Sequence, residues 1–434
     1  MSIQSSFSAS SSSASGVLLS YEEASALVKA KASSLRTRSA TVERVTLYRA
    51  AGRTLARPVF ADRAQPPFDR STRDGFACRA AEVNLYAMLP VAGASRAGDP
   101  PRETLPPRSV WEVMTGAPVP AGADAVMMIE HVERGEGLVR LLAPRLLAPG
   151  ENIVARGTQS RQGDELLRPG QLLGPAQIAL AASVGQPELD VFPRPRVAIL
   201  NTGEEIVPVE CDPDPGKIRN SSASMLASLV TQYGGEPWIL PSAFDEPEAL
   251  DAALAQAGKA DMLLVTGGVS TGKYDLVEPA LLRLGARFFF TGIRIQPGKP
   301  LVFGEMPALA SGSVPPHTLP VFGLPGNPVS SAVTFLLFAA PVLTALTGSL
   351  EICPRFALAE LAASVKQTIH PGLTRFLPAY CDFGDDHNSL PRANLIPWQG
   401  SGDLTAMAQA NCFLAVPENL SELRPGAIMR ILLF

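Results

Sequence analysis

The sequence predicts an α/β multidomain protein: one doubly wound α/β domain accompanied by small β-rich domains. Three observations predict it. Residues 195–348 alternate short apolar runs with helical stretches, the pattern of parallel strands joined by crossover helices. The chain has 434 residues, beyond the roughly 250–300 at which one hydrophobic core stops growing, so about two to four domains follow. Proline makes up 40 of those residues, well above the usual ~5%, and clusters at junctions between the periodic stretches. Hydrophobic residues at 46% against 18% charged supply several cores and exclude global disorder.

Residues 1–17 are mostly serine and read as a disordered tail. They hold no basic stretch followed by an apolar run, so they are not a secretory signal. Leu19–Lys31 reads as a helix, with Ser20 as N-cap and Glu23 three residues on, a capping-box spacing. Val42–Arg57 is a second short stretch. Residues 18–58 and 151–190 form a discontinuous helical and mixed linker domain, in which 177–185 is a helix closed by Gly185. Between them, residues 59–150 are rich in Pro, Gly and short apolar runs and read as a small β-rich domain. There, Trp111–Glu130 suggests strand, turn, strand.

Residues 191–348 form the α/β domain. Its strands are expected at Arg196–Leu200, Trp238–Leu240, Asp261–Val265, Arg287–Ile295 and Leu319–Phe322. Its helices are expected at Ser221–Tyr233, Glu246–Ala257, Leu276–Leu284 and from about Val329. Val329–Gly348 carries no charge and is long enough to cross a bilayer. Its serines, threonines and Pro341, without closely flanking Lys or Arg, favour a buried helix instead. Residues 349–434 hold several short apolar runs and read as a terminal β domain.

Net charge is 37 − 41 = −4, which leaves no basic excess to neutralise a nucleic-acid backbone. The five cysteines are scattered without a CxxC pair, which argues against a zinc site or disulfide framework and for a reducing, cytoplasmic setting. The four histidines are scattered too.

Three loops follow three of the expected strands: Asn201–Glu205, Thr266–Gly272 and Gly323–Pro328. In a parallel sheet all three emerge at one edge, where such sheets bind ligands. Thr202, Gly203, Gly267, Gly268, Ser270 and Gly272 would supply close backbone N–H groups and hydroxyls to an anion. Pro325, Gly326, Asn327 and Pro328 lead into a helix start, which favours an oxyanion. Lys299, in QPGKP, is either a solvated charge or a phosphate neutraliser. Glu205, Asp245 and Asp275 sit at the same edge. Asp245 with Glu248 and Asp275 with Glu278 fit D-x-x-E helix capping, a role compatible with holding Mg²⁺. Pro67–Phe76 is either a hairpin connection or a surface ion-pair cluster.

Six segments, PPFDRSTRDGFA (66–77), VMTGAPVPAGADAV (113–126), NTGEEI (201–206), VTGGVSTGKYD (265–275), PGKP (297–300) and GLPGNPVS (323–330), stand in an order and spacing that resembles the molybdopterin molybdenumtransferase family, bacterial MoeA and the E domain of gephyrin. The resemblance runs from about residue 18 to the end. It implies an elongated four-domain subunit with a MoaB/MogA-like molybdopterin-binding α/β domain, and a homodimer with a shared active site. It implies substrates, adenylylated molybdopterin and molybdate, and a divalent ion that assists release of AMP. The molybdopterin adenylyltransferase is a candidate partner, and no membrane or nucleic acid is implied. By the same resemblance Asp74, Thr115, Glu205 and Asp275 are catalytic. Glu205, Asp245 and Asp275 hold Mg²⁺, and Lys299, Pro325, Pro328 and Ser401 contact substrate. Three departures stand out. Arg73 replaces a methionine, Gln296 replaces the first lysine of KPGKP, and Thr158-Gln159 replace the acids of an RGED stretch. The other two readings are a non-catalytic pterin-binding or scaffolding homologue and a molybdopterin adenylyltransferase.

Overall fold

The computed structural model describes residues 18–35, 41–85, 88–100, 104–142, 145–242, 247–268, 276–308, 318–351, 353–363, 372–384, 389–420 and 422–434. The serine tail, Asp245, Ser270, Gly272 and Asp275 lie outside the described residues.

Among the described residues, three six-stranded sheets and four two-stranded ones are packed with helices. The α/β domain carries a six-stranded sheet in the order Glu236–Ile239, Arg196–Asn201, Met262–Thr266, Thr318–Leu324, Val302–Pro307, Arg287–Thr291. The first four strands are parallel; Val302–Pro307 runs antiparallel to both its neighbours, so Arg287–Thr291 again runs with the first four. The sheet is therefore mixed at one edge. Val302–Pro307 was not expected, because Gly304 and Pro307 break its apolar run. The expected strand Arg287–Ile295 is in fact two. Gly292 turns the chain at φ +132°, where an added Cβ would lie 2.7 Å from Leu18 Cδ2. Arg287–Thr291 stays in this sheet, whereas Ile295–Gln296 leaves it and pairs with the terminal domain.

The central strands are buried on both faces, as parallel strands between helix layers require. One face packs on Ser221–Gln232 and on the helix Pro328–Leu346. That helix is long and apolar enough to cross a membrane, yet 94% of an 18-residue stretch of it is buried inside the protein. A π turn interrupts it at Phe335–Ala339. Pro341 has no N–H, so the Leu337 carbonyl loses its α-helical donor, and the ladder reorganises at that point.

The helix Tyr21–Leu35 starts with the expected capping box. Ser20 N–H donates to Glu23 Oε2 at 2.8 Å, and Glu23 N–H donates to Ser20 Oγ at 3.1 Å. Its buried face, Ala24, Val28, Ala32 and Leu35, joins the α/β core. The linker proper is built from two chain passes. Glu43–Thr46 pairs with Glu188–Val191, and Val59–Phe60 with Glu165–Leu167, over the helix Pro175–Ser183.

In the small β domain, Val110–Val113 and Ala125–Met128 do not pair with each other. Both pair with Gly75–Cys78, which lies between them. Gly75 makes this possible: a Cβ there would sit 1.8 Å from the Met127 carbonyl oxygen.

The terminal domain is a closed five-stranded barrel. Thr374–Asp382 pairs with Arg392–Leu395, then Phe356–Leu361, Ile428–Leu433 and Cys412–Val416 follow, and the last pairs back with Thr374–Asp382. Closure removes the open edges. One helix, Leu404–Gln409, departs from the all-β expectation, and Asp403 caps it by accepting from Ala406 N–H at 3.0 Å.

Candidate functional site

A cleft of about 840 Å³ opens between the carboxyl ends of the parallel strands and the barrel. Its size lies in the range of small-molecule sites. The three glycine-rich loops meet there. Thr202 N–H donates to the Thr266 carbonyl at 3.0 Å, which ties the first loop to the second. Gly267 and Gly268 take φ +89° and +61°. A Cβ on Gly267 would lie 2.4 Å from the Thr202 carbonyl oxygen, and one on Gly268 2.8 Å from Thr202 Oγ1. The two loops approach this closely because neither glycine has a side chain. Thr266 Oγ1 in turn reaches the Pro325 carbonyl at 3.3 Å, and Ser222 Oγ the Gly326 carbonyl at 3.5 Å.

The barrel closes the other side. Asn327 Nδ2 donates to Ser401 Oγ at 2.8 Å, and Val329 N–H donates to the Ser401 carbonyl at 3.0 Å. Trp398 and Leu373 add apolar surface from the same domain. Thr202, Gly267, Gly268, Lys299, Asn327 and Ser401 all line the cleft, as do Glu205, Pro325, Gly326 and Pro328. Gly203 sits directly behind, with Glu205 Oε2 2.7 Å from where its Cβ would be.

The cleft's electrostatics favour an anion. Two helices, starting at Ser221 and Pro328, present their amino ends to it. Lys299 is exposed in the cleft and makes no ion pair among the described residues. Arg219 also lines it, but is held by the Cys211 carbonyl and Asp212 at 2.9 and 2.7 Å. Glu205 is the single carboxylate lining the cleft among the described residues.

Two buried groups there have no partner. Asn201 has both side-chain amide atoms unsatisfied, and Thr202 has its Oγ1 unsatisfied. The residues are 1% and 4% exposed. An orphaned buried polar group costs about 1–3 kcal/mol, which makes Asn201 and Thr202 candidate partners for a ligand in the cleft. Sequence reading includes Asn201 in its first loop without singling it out and passes over Trp398. A tryptophan three residues ahead of Ser401 is the signal that could have found it.

Asp74 and Thr115 do not line the cleft. They are bound to each other in the small β domain. Asp74 Oδ1 accepts from Thr115 N–H at 2.6 Å and from Thr115 Oγ1 at 2.9 Å. These two bonds hold the exposed Asp74 carboxyl below its usual 3.8. The altered RGTQ stretch is well seated: Arg156 N–H donates to Asp69 Oδ1 at 2.8 Å, and Gln159 N–H donates to the Gln65 carbonyl at 2.9 Å. All five cysteines are free thiols.

Fold and cleft define a class: a multidomain α/β protein with a polar cleft where its parallel strands end. Comparison with known proteins narrows it. The MoeA N-terminal region (domain I and II) matches residues 19–185. The probable molybdopterin binding domain matches 198–345, and the MoeA C-terminal region (domain IV) matches 359–434. The molybdopterin molybdenumtransferase of Bacillus subtilis is 32% identical over 392 residues, covering 88% of this chain and 87% of its own. That of a Nostoc species is 37% identical over 313 residues, covering 70% of each chain. The crystal structure of the molybdopterin biosynthesis moeA protein from Pyrococcus horikoshii superposes with a TM-score of 0.77 at 28% identity, covering 96% of this chain and all of its own. The chain belongs to the molybdopterin molybdenumtransferase family.

Proposed function

We propose that the protein inserts molybdenum into molybdopterin, taking adenylylated molybdopterin and molybdate as substrates and releasing AMP. The observation that carries this reading is the convergence of three strand-end loops and one barrel loop on a single cleft whose inner wall holds unsatisfied Asn201 and Thr202. A pyrophosphate needs donors and charge neutralisation more than it needs a nucleophilic side chain. Gly267, Gly268 and the two helix amino ends supply the donors. Lys299 supplies a cation, and Trp398 offers a flat face to a pterin or adenine ring. Molybdate, a dianion, belongs beside Lys299, Asn327 and Ser401 rather than beside carboxylates.

Magnesium prefers one or two carboxylates together with substrate phosphates, and Glu205 on the rim fits that habit. Asp245 and Asp275 are the further ligands the resemblance implies. The ion would neutralise charge that develops on the pyrophosphate oxygens. Asp74, kept ionised by Thr115, is too well ordered for a casual surface acid. A second copy of the chain would bring it to the cleft, as a homodimer with shared active sites requires. The five free thiols suit a cytoplasmic enzyme.

The direct test is AMP release from adenylylated molybdopterin with Mg²⁺ and molybdate. Release is expected; its absence, beside a working relative, would overturn the reading. Pterin binding without turnover would point to the scaffolding alternative.

A further inference from the structure

We propose that Arg375 is a positioning residue for the oxyanion in the cleft and acts through Gln296. It fixes the Gln296 amide so that its NH₂ is offered to the ligand. The inference rests on the molybdate reading above and concerns how this chain replaces a lysine of the related motif.

The geometry begins with the short strand Ile295–Gln296, which leaves the α/β sheet and runs parallel to Thr374–Asp382 of the barrel. The register sets Gln296 against Arg375. Arg375 is buried, 8% exposed, and its Nε donates to Gln296 Oε1 at 2.9 Å. A guanidinium only donates, so the atom it meets must be the amide oxygen. The orientation of the Gln296 side chain is thereby assigned. Gln296 itself is exposed and lines the cleft three residues before Lys299.

With its oxygen turned to Arg375, this carboxamide presents chiefly its two N–H donors to a ligand. The adjoining buried charge polarises it, which strengthens those donors. The pair therefore favours ligands that only accept, and tetrahedral dianions are the class that fits. A lysine at 296 would place two cations on paired positions of adjacent strands. Glutamine removes that repulsion and keeps one permanent charge behind the amide. Lys299 then faces the same ligand from the other end of the Gln296–Lys299 turn.

The test uses the full-length protein. Molybdate is titrated calorimetrically, with sulfate and tungstate in separate arms, and AMP release is followed at varied molybdate. Gln296→Glu keeps the contact with Arg375 but turns an acceptor toward the ligand. Its molybdate Kd should rise by about tenfold or more, the loss of one hydrogen bond to a charged group, without a lower melting temperature. Arg375→Met should raise the KM for molybdate by about tenfold while kcat at saturating molybdate holds, and Arg375→Lys should recover part of the loss. Sulfate and tungstate should follow molybdate if shape and charge alone are read.

A folded Arg375→Met protein with wild-type molybdate KM would overturn the proposal. So would Gln296→Glu with wild-type affinity, or a wild-type protein that binds no molybdate. If Arg375→Met does not fold, Gln296→Glu and Gln296→Met decide. A wild-type protein that binds molybdate through this pair yet releases no AMP would sink the functional reading alone. Normal AMP release with indifferent variants would sink the pair alone.

Discussion

The strand-end cleft and the Asp74–Thr115 corner contrast in how far their polar groups are satisfied. In the cleft, Asn201 and Thr202 are buried without partners, and Lys299 is exposed without an ion pair among the described residues. At the corner, Asp74 has two donors on one oxygen and lies on the surface. The cleft leaves buried polar groups without a partner in the chain; the corner pairs its own. A single chain can complete the first by topology alone, since parallel strands deliver their ends to one edge. The proposed role of the corner, by contrast, needs a second copy of the chain.

The largest effect is expected from filling the close approach between the first two loops. Gly267→Ala puts a methyl 2.4 Å from the Thr202 carbonyl oxygen in a backbone conformation that alanine resists. The loops must part, and misplacement by about 1 Å can cost on the order of 10²-fold in rate. AMP release should fall by that order, with a modest change in melting temperature because only loops move. Wild-type turnover in this variant would show that loop contact does not organise the cleft.

Mixing two damaged chains tests whether the corner serves the cleft of a second copy. Asp74→Asn and Lys299→Ala should each be nearly inactive alone. If each active site combines one chain's cleft with the other chain's Asp74, a mixed dimer regains one intact site of two. Random exchange makes about half the dimers mixed, so about a quarter of wild-type activity should return. AMP release after co-refolding or subunit exchange measures it. No recovery, with dimers confirmed by light scattering, would confine Asp74 to a structural role.

Much of the α/β domain was legible, and the reason is physical. Strands such as Arg196–Asn201 and Met262–Thr266 are buried on both faces, so they read as unbroken apolar runs. Val302–Pro307 escaped because its glycine and proline mimic a turn, although an antiparallel strand tolerates both near the sheet's end. The barrel's closure was not legible at all. It depends on Thr374–Asp382 meeting Cys412–Val416, a pairing between segments that local pattern does not connect. The site divides in the same way. Loops at strand ends announce Lys299, Gly267 and Asn327 by position. Trp398, Ser222 and Arg375 matter only through what they reach in three dimensions.

The smallest expected effect concerns the ionisation of Asp74. Its carboxyl is held below 3.8, first by the Thr115 N–H and then by the Thr115 hydroxyl. A lowered folded value means the contact stabilises the native state above pH 3.8 and loses that contribution as pH falls through the lowered value. Thr115→Val removes the hydroxyl and keeps the N–H, so the folded value should move part of the way back toward 3.8. The acid limb of the unfolding curve should then begin at slightly higher pH, while stability at pH 7 changes little through this charge. A carboxyl-carbon NMR titration of Asp74 reads the shift directly. Titration of wild-type Asp74 at or above 3.8 would mean that Thr115 does not hold it ionised, and the corner would lose its claim to present a fixed anion to a partner's cleft.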